Sequence, residues 1–184
     1  MLCSTAPFMR KVILGAGITL DGYIARPDGG IDFLRPPKGY SMGAFFSTVD
    51  AVVFGRKTFD EAVKRGGGSY KAPVKMLTYV FSGSRTPGER EGVVFVNQTP
   101  TAFVEAMRKQ PNGKNIFVMG GGELARSFLR ADVVDELYIG VYPVLLGEGI
   151  PFFPSGFPQR DFRLLECKSY ELEGFLELKY SRIR

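Results

Sequence analysis

Three short segments carry the residue types that handle phosphate: Gly55-Arg56-Lys57-Thr58, Ser82-Gly83-Ser84-Arg85, and Met119-Gly120-Gly121-Gly122-Glu123-Leu124. A turn without β-carbons lets backbone approach a ligand closely. Where a helix follows, its first N–H groups have no internal partner and face whatever anion sits there. Arg56 and Arg85 suit a phosphate monoester through bidentate geometry, Lys57 acts as a point charge, and the Thr58 hydroxyl can reach a diphosphate oxygen. Taken singly, each segment is equally a tight turn with solvated charges. Three such junctions on one edge of a parallel sheet would form a single anion-binding rim.

Residues able to move protons are scarcer. The 184 residues include no histidine, which removes the usual general base, the Ser-His and Cys-His pairs and most zinc sites. The cysteines, Cys3 and Cys167, have no metal-ligand spacing, so neither a metal centre nor a disulfide scaffold is expected, and a reducing, cytoplasmic setting follows. Chemistry then falls to carboxylates, hydroxyls, lysine or a bound cofactor. Asp21 and Asp32 are the candidate catalytic carboxylates, although each also reads as a turn former, since Asp bonds its own backbone in turns. Tyr23 and Tyr40 could pass protons through ordered water. Tyr23, Phe45 and Phe46 are candidate walls of a substrate pocket, with helical spacing equally able to put the two phenylalanines in the core.

A net charge of +5 favours an anionic ligand, but the basic residues are scattered without a run of five, so nucleic acid is not the expected partner. No apolar stretch approaches the roughly 18 residues of a spanning helix. Residues 1–10 read as an N-terminal extension and 11–184 as a single domain.

The elements that would position these residues form an α/β pattern. Residues 11–18 read as a buried strand with glycines at 15 and 17, and the breaker-rich 20–39 as a mobile lid. A helix over 41–48 and a strand over 51–54 follow. Thr58 would cap the next helix, with Asp60 and Glu61 in its first turn. Strands are expected at 75–81 and Val93–Val96, a helix opening on Thr99-Pro100, a strand at 115–119, a helix over 123–129, and a strand within 133–142. Phe162–Tyr170 and 175–183 alternate as an antiparallel hairpin, with Leu176, Leu178 and Tyr180 on one face and Glu177, Lys179 and Ser181 on the other, wetter one. Together these make a mixed, mostly parallel sheet with helices on both faces.

Residues 116–142, IFVMGGGELARSFLRADVVDELYIGVY, and 50–59, DAVVFGRKTF, resemble dihydrofolate reductase and its relative, the C-terminal reductase domain of bifunctional riboflavin-biosynthesis proteins. Thr19-Leu20-Asp21-Gly22 is similar to the Ser-Leu-Asp-Gly opening of the latter, and Pro143-Val144-Leu145-Leu146-Gly147 to its Pro-x-x-x-Gly segment. The resemblance implies a dihydrofolate reductase-like three-layer αβα fold with a C-terminal antiparallel hairpin. It also implies bound NADPH and hydride transfer to a small heterocyclic or imine substrate, most like that of 5-amino-6-(5-phosphoribosylamino)uracil reductase. Gly55, Arg56, Lys57, Thr58, Ser82, Gly83, Ser84 and Arg85 would then hold the phosphates and adenosine side. Met119, Gly120, Gly121, Gly122, Glu123 and Leu124 would supply the pyrophosphate cradle, with a cis peptide between Gly120 and Gly121, while Ala16, Gly17 and Ile24 would flank the nicotinamide. Pairing of the C-terminal strands into a homodimer is a further implication.

The chain departs from both relatives. No acid occurs over 34–49, where dihydrofolate reductase carries a helix carboxylate, and there is no tryptophan. Met119 stands where the riboflavin branch has Glu, and 59–65 lacks that branch's Asp-Asp-Pro. A pterin reductase, a non-catalytic NADPH-binding protein and a basic RNA-binding domain are the competing expectations.

Overall fold

In the computed structural model, which describes residues 9–70 and 76–184, β1 (Val12–Thr19) runs between β7 (Asn115–Val118) and β8 (Glu136–Tyr142), parallel to both. Beyond β7 come β3 (Val49–Gly55), β4 (Leu77–Phe81) and β6 (Val93–Val96), again parallel, and the edge is antiparallel β5 (Gly88–Arg90). On the other side β8 pairs antiparallel with β11 (Phe175–Arg182), which pairs antiparallel with β10 (Phe162–Tyr170). The nine strands lie in the order β10-β11-β8-β1-β7-β3-β4-β6-β5. A separate two-stranded ribbon joins β2 (Tyr23–Ala25) to β9 (Ile150–Pro151). The architecture is the mixed, mostly parallel α/β sheet that the sequence predicts.

Strands buried on both faces read as continuous apolar runs, and alternate residues feed two cores. Val12, Leu14, Val53, Ile116 and Val118 pack under α3 (Pro100–Arg108) and α4 (Gly122–Arg130). Ile13, Val52, Phe54 and Phe117 pack on the opposite face, where α1 (Gly43–Phe46) contributes Phe46 and α2 (Arg56–Arg65) contributes Phe59. The Thr99 hydroxyl accepts from Ala102 N at 3.2 Å with Pro100 behind it, so α3 starts as its sequence predicts. Among the described residues no helix is long and apolar enough to cross a membrane.

Several local expectations change. The cap of α2 is Gly55, not Thr58: the helix begins as soon as β3 ends, because Gly55 N–H donates to Gly120 O at 3.0 Å and fixes the turn. Thr58 therefore lies inside the first turn and Asp60 and Glu61 beyond it. Segment 20–39 is tied rather than free. Leu20 N–H donates to Val144 O, Phe152 N–H donates to Gly22 O, both at 2.9 Å, and β2 forms within the segment. The helix expected over 41–48 shrinks to one turn, and β5, which contains no apolar residue, carried no strand signal. Arg10 cannot belong to a loose extension. It is buried, donates to Lys114 O at 2.7 Å and pairs with Asp50. Residues 1–8, and the Lys75 start of the expected 75–81 strand, lie outside the described residues.

The hairpin keeps Leu178 packed against the core as expected but departs from its expected faces at the Phe175 end. Phe175 and Glu177 are buried, whereas Leu164 and Leu176 on the opposite face are exposed. The cause is Gly140: cross-strand from Glu177, it has no side chain, and the Phe175 ring lies across it, 2.8 Å from where a β-carbon would stand. Segment 31–40 then covers this face, with Leu34 over Gly17 and Tyr40 edge-on to Phe175 at 5.2 Å.

Candidate active site

Strands β1, β7, β3 and β4 end at one edge of the sheet, and α2 and α4 start there. Neither helix has a side-chain cap: Gly55 and Gly121 occupy the two N-cap positions, which leaves first-turn amides open at adjacent strand ends. The two junctions touch. Besides the Gly55 to Gly120 hydrogen bond, a β-carbon on Gly121 would sit 2.8 Å from Thr58 Oγ1 and 3.7 Å from Ile24 Cδ1, and one on Gly122 would strike the Pro151 carbonyl. The Gly120–Gly121 peptide is cis, and Gly120 has φ +96°, a left-handed conformation that glycine tolerates. Leu124 is buried beneath the turn, Met119 N–H donates to Val53 O at 3.0 Å, and exposed Glu123 pairs with Arg126.

The third junction joins through a residue that sequence reasoning missed. Asp60 Oδ2 accepts from Arg56 Nη1 at 2.8 Å and Asp60 Oδ1 from Arg85 Nη2 at 2.5 Å, so one carboxylate holds both guanidinium groups. The i, i+4 spacing of Arg56 and Asp60 on a helix is a legible signal. The link to Arg85 is purely tertiary. Arg85 also lies over the Phe95 ring, 5.0 Å from its centre. Buried Ser82 shapes the turn, its Oγ accepting from Arg85 N at 2.9 Å and Ser84 N at 3.3 Å. Gly83, Ser84 and Lys57 are exposed at the rim. A cleft of about 660 Å³ lined by Asp60, Tyr70, Arg85 and Phe95 opens beside the clasp.

The two candidate acids are already engaged. Asp21 accepts from Thr19 Oγ1 at 2.5 Å, Gly147 N at 2.8 Å and Leu146 N at 3.0 Å, and the Thr19 hydroxyl foremost holds its carboxyl below the usual range. Asp32 is gripped bidentately by Arg26 at 2.7 and 2.9 Å, which lowers its pKa to about 2. Neither lies in a dry pocket.

A packed aromatic cluster lies on the α1 face of the sheet. Gly17, half-buried in β1, pairs with Gly140 on this face, whereas half-buried Ala16 packs on the other, against the core under α3 and α4. Phe45 stacks on Tyr138 at 4.3 Å, 9° from parallel, while Phe46 is buried beneath as core. Tyr23 is half-buried against Gly149, beside the ribbon. Burial pushes the Tyr40 hydroxyl up to about 12 and raises Tyr138 and Tyr142 as well. Within these rings lies Glu177, only 7% exposed. Alternation placed it on the wetter face of the hairpin; the rings of the covering segment and β8 bury it instead.

The model of the RibD C-terminal domain matches residues 10–174. The chain is 38% identical to YwjB of Bacillus subtilis (strain 168) over 176 residues, covering 88% of this chain and 92% of that protein. A crystal structure of a protein described as a riboflavin biosynthesis protein, from Shewanella sp. PV-4, superposes with a TM-score of 0.82 at 25% identity, covering 95% of this chain and 99% of the other. Dihydrofolate reductase from Enterococcus faecalis, complexed with NADP(H), shares the fold, with a TM-score of 0.66 at 20% identity and coverage of 96% and 99%. The chain therefore belongs to the RibD C-terminal domain family, has the dihydrofolate reductase-like fold, and is an oxidoreductase.

Proposed function

We propose that this chain is an NADPH-dependent reductase that transfers a hydride to a small heterocyclic or imine substrate, most like 5-amino-6-(5-phosphoribosylamino)uracil reductase of riboflavin biosynthesis, acting in the cytoplasm. The observation that carries this reading is the rim. Two uncapped helix N-termini meet through Gly55 and Gly120, and two arginines converge on one anion, the Asp60 carboxylate, which occupies the place a phosphate monoester would take. A cradle that a single β-carbon on Gly121 would fill suits a pyrophosphate.

In this reading Arg56 and Arg85 hold the 2′-phosphate, with Lys57, Ser82, Gly83 and Ser84 along the adenosine side. Gly55, Thr58, Met119, Gly120, Gly121, Gly122, Glu123 and Leu124 form the pyrophosphate turn. Ala16, Gly17 and Ile24 flank the nicotinamide, which when bound supplies the hydride. Tyr23 and Phe45 wall the substrate, with Phe46 supporting Phe45. Asp21 and Asp32 act on catalysis by shaping the 20–39 segment, since their oxygens are bonded within it and to 146–147. Exposed Leu164 and Leu176 support a homodimer through β10 and β11, which sedimentation velocity reads directly.

Titration with NADPH and NADH tests the rim. Arg56→Ala and Arg85→Ala are each expected to weaken NADPH about 10–100-fold with little change for NADH, as for loss of a charge-assisted bond; equal losses for both cofactors would overturn the assignment. The absence of an acid over 34–49 favours a second reading, a protein that binds NADPH without turning it over. Oxidation of NADPH across pterins, pyrimidine precursors and imines separates the two.

A further inference from the structure

We propose that the cleft beside the arginine clasp is a second binding site, separate from the cofactor rim, for a planar aromatic anion: a flat ring system carrying one phosphate or carboxylate. This site does not depend on the reductase reading.

The cleft exists because the sheet is wider than its cover. Helix α2 packs over β3 and β4 and stops at β6, where the Phe59 ring meets Phe95 edge-on at 6.0 Å. Val93 and Phe95 on β6, with Phe59, Val63 and Tyr70, form an apolar floor on this face. The floor follows α2 from Asp60 to Lys64 in its last turn, away from the strand ends that build the rim. A volume of about 660 Å³ falls within the roughly 300–1,000 Å³ of small-ligand sites.

The walls choose the ligand. Cross-strand from Phe95 stands Gly88, which has no side chain, and two guanidinium groups cover the ring instead, Arg85 at 5.0 Å and Arg90 at 5.9 Å from its centre. Arg85 is held by Asp60. Arg90 is not: among the described residues neither Arg90 nor Lys64 has a carboxylate within 4.0 Å, although both border the cleft. Arg90 is also fixed in place. Glu91 and Gly92, with φ of +52° and +76°, close β5 onto β6 as a two-residue hairpin and set Arg90 across from Val93. Glu91 is the one lining acid at this end, against two cations, so the wall is net positive.

A guanidinium over an aromatic floor, beside an ammonium, suits a flat ring that carries a negative group. The ring lies on the floor, and the anion meets the fork of Arg90 and the point charge of Lys64. An aliphatic acid would forgo the stacking, and a neutral ring the ion pair.

The probe is 1-naphthyl phosphate, titrated by calorimetry alone and with saturating NADPH, with inorganic phosphate and 1-naphthol as its two halves. The wild-type protein is expected to bind it at least about tenfold more tightly than either half, since stacking and ion pairing each contribute. Saturating NADPH should leave that affinity within about threefold, below the usual range of coupled sites. Arg90→Ala should weaken the probe about 10–100-fold and Lys64→Ala about five- to tenfold, as for loss of a charge-assisted bond. Arg90→Lys should fall between wild type and Arg90→Ala, because it keeps the charge and loses the planar stack. Both side chains are exposed, so these variants should fold and bind NADPH within about twofold of wild type. No binding of the probe, equal binding of either half, or binding untouched by Arg90→Ala and Lys64→Ala overturns the proposal. Displacement by NADPH, with loss in Arg56→Ala, would put the probe on the rim and overturn it too. A protein that binds the probe through Arg90 and Lys64 but does not bind NADPH would instead sink the reductase reading and leave the cleft assignment standing.

Discussion

The rim at the ends of β7 and β3 and the aromatic cluster on the α1 face of β8 and β11 are built on opposite principles. The rim is made from contiguous segments, each a strand end, a glycine turn and a helix start, and its ligand contacts are backbone amides and charges a few residues apart. The cluster is assembled from a loop, a one-turn helix and strands far apart in sequence, its residues spanning Tyr40 to Glu177. Sites of the first kind announce themselves in sequence. Those of the second depend on which face of a strand is covered.

Three changes would break or sharpen that contrast. Gly122→Val places a side chain against the Pro151 carbonyl in the first turn of α4, where backbone must yield on both sides. A loss of about 3 kcal/mol in urea denaturation is expected. Near-neutral behaviour would show that the rim is looser than its close contacts imply.

The aromatic cluster should announce itself at high pH. Tyr40, Tyr138 and Tyr142 are all raised by burial. Below about pH 10 both the folded and unfolded chains keep these protons, so stability is undiminished. As pH climbs past 10 the unfolded chain releases them first, and stability falls. Tyr138→Phe should make that decline shallower by up to about 1.4 kcal/mol per pH unit. An unchanged slope in stability measured from pH 9 to 11 would mean that the Tyr138 ring is effectively solvated.

The smallest effect belongs to Asp60. Because its carboxylate competes for Arg56 and Arg85, both more than a third exposed, Asp60→Asn should tighten NADPH about three- to fivefold, with little effect on NADH, the scale of an exposed ion pair. Weaker NADPH binding would show that Asp60 orients the arginines more than it competes for them.

Most of the parallel sheet was legible because its strands are apolar runs bounded by glycine, and α3 because Thr99 and Pro100 mark its start. Helix α2 was misplaced by three residues at its cap, since Thr58 has the right chemistry for a cap but Gly55 has the tertiary hydrogen bond. Strand β5 had no apolar residue to betray it, and β2 forms only because β9, more than a hundred residues later, pairs with it. At the rim, Arg56, Thr58, Arg85 and the glycines could be named from sequence, whereas Asp60 as their shared anion could not.

The sequence by itself determined the strand-turn-helix units, the lack of histidine chemistry and the glycines that let two of the turns crowd together, all properties of local conformation and composition. Only the tertiary structure decided which side of the final hairpin is dry. Period-two alternation ranked the two faces by residue type, Leu176 inward and Glu177 outward, and packing overrode that ranking at the Phe175 end. The override came from a glycine on β8 and a covering segment over a hundred residues from the hairpin, and it turned Glu177 from a surface charge into a buried carboxylate among aromatic rings.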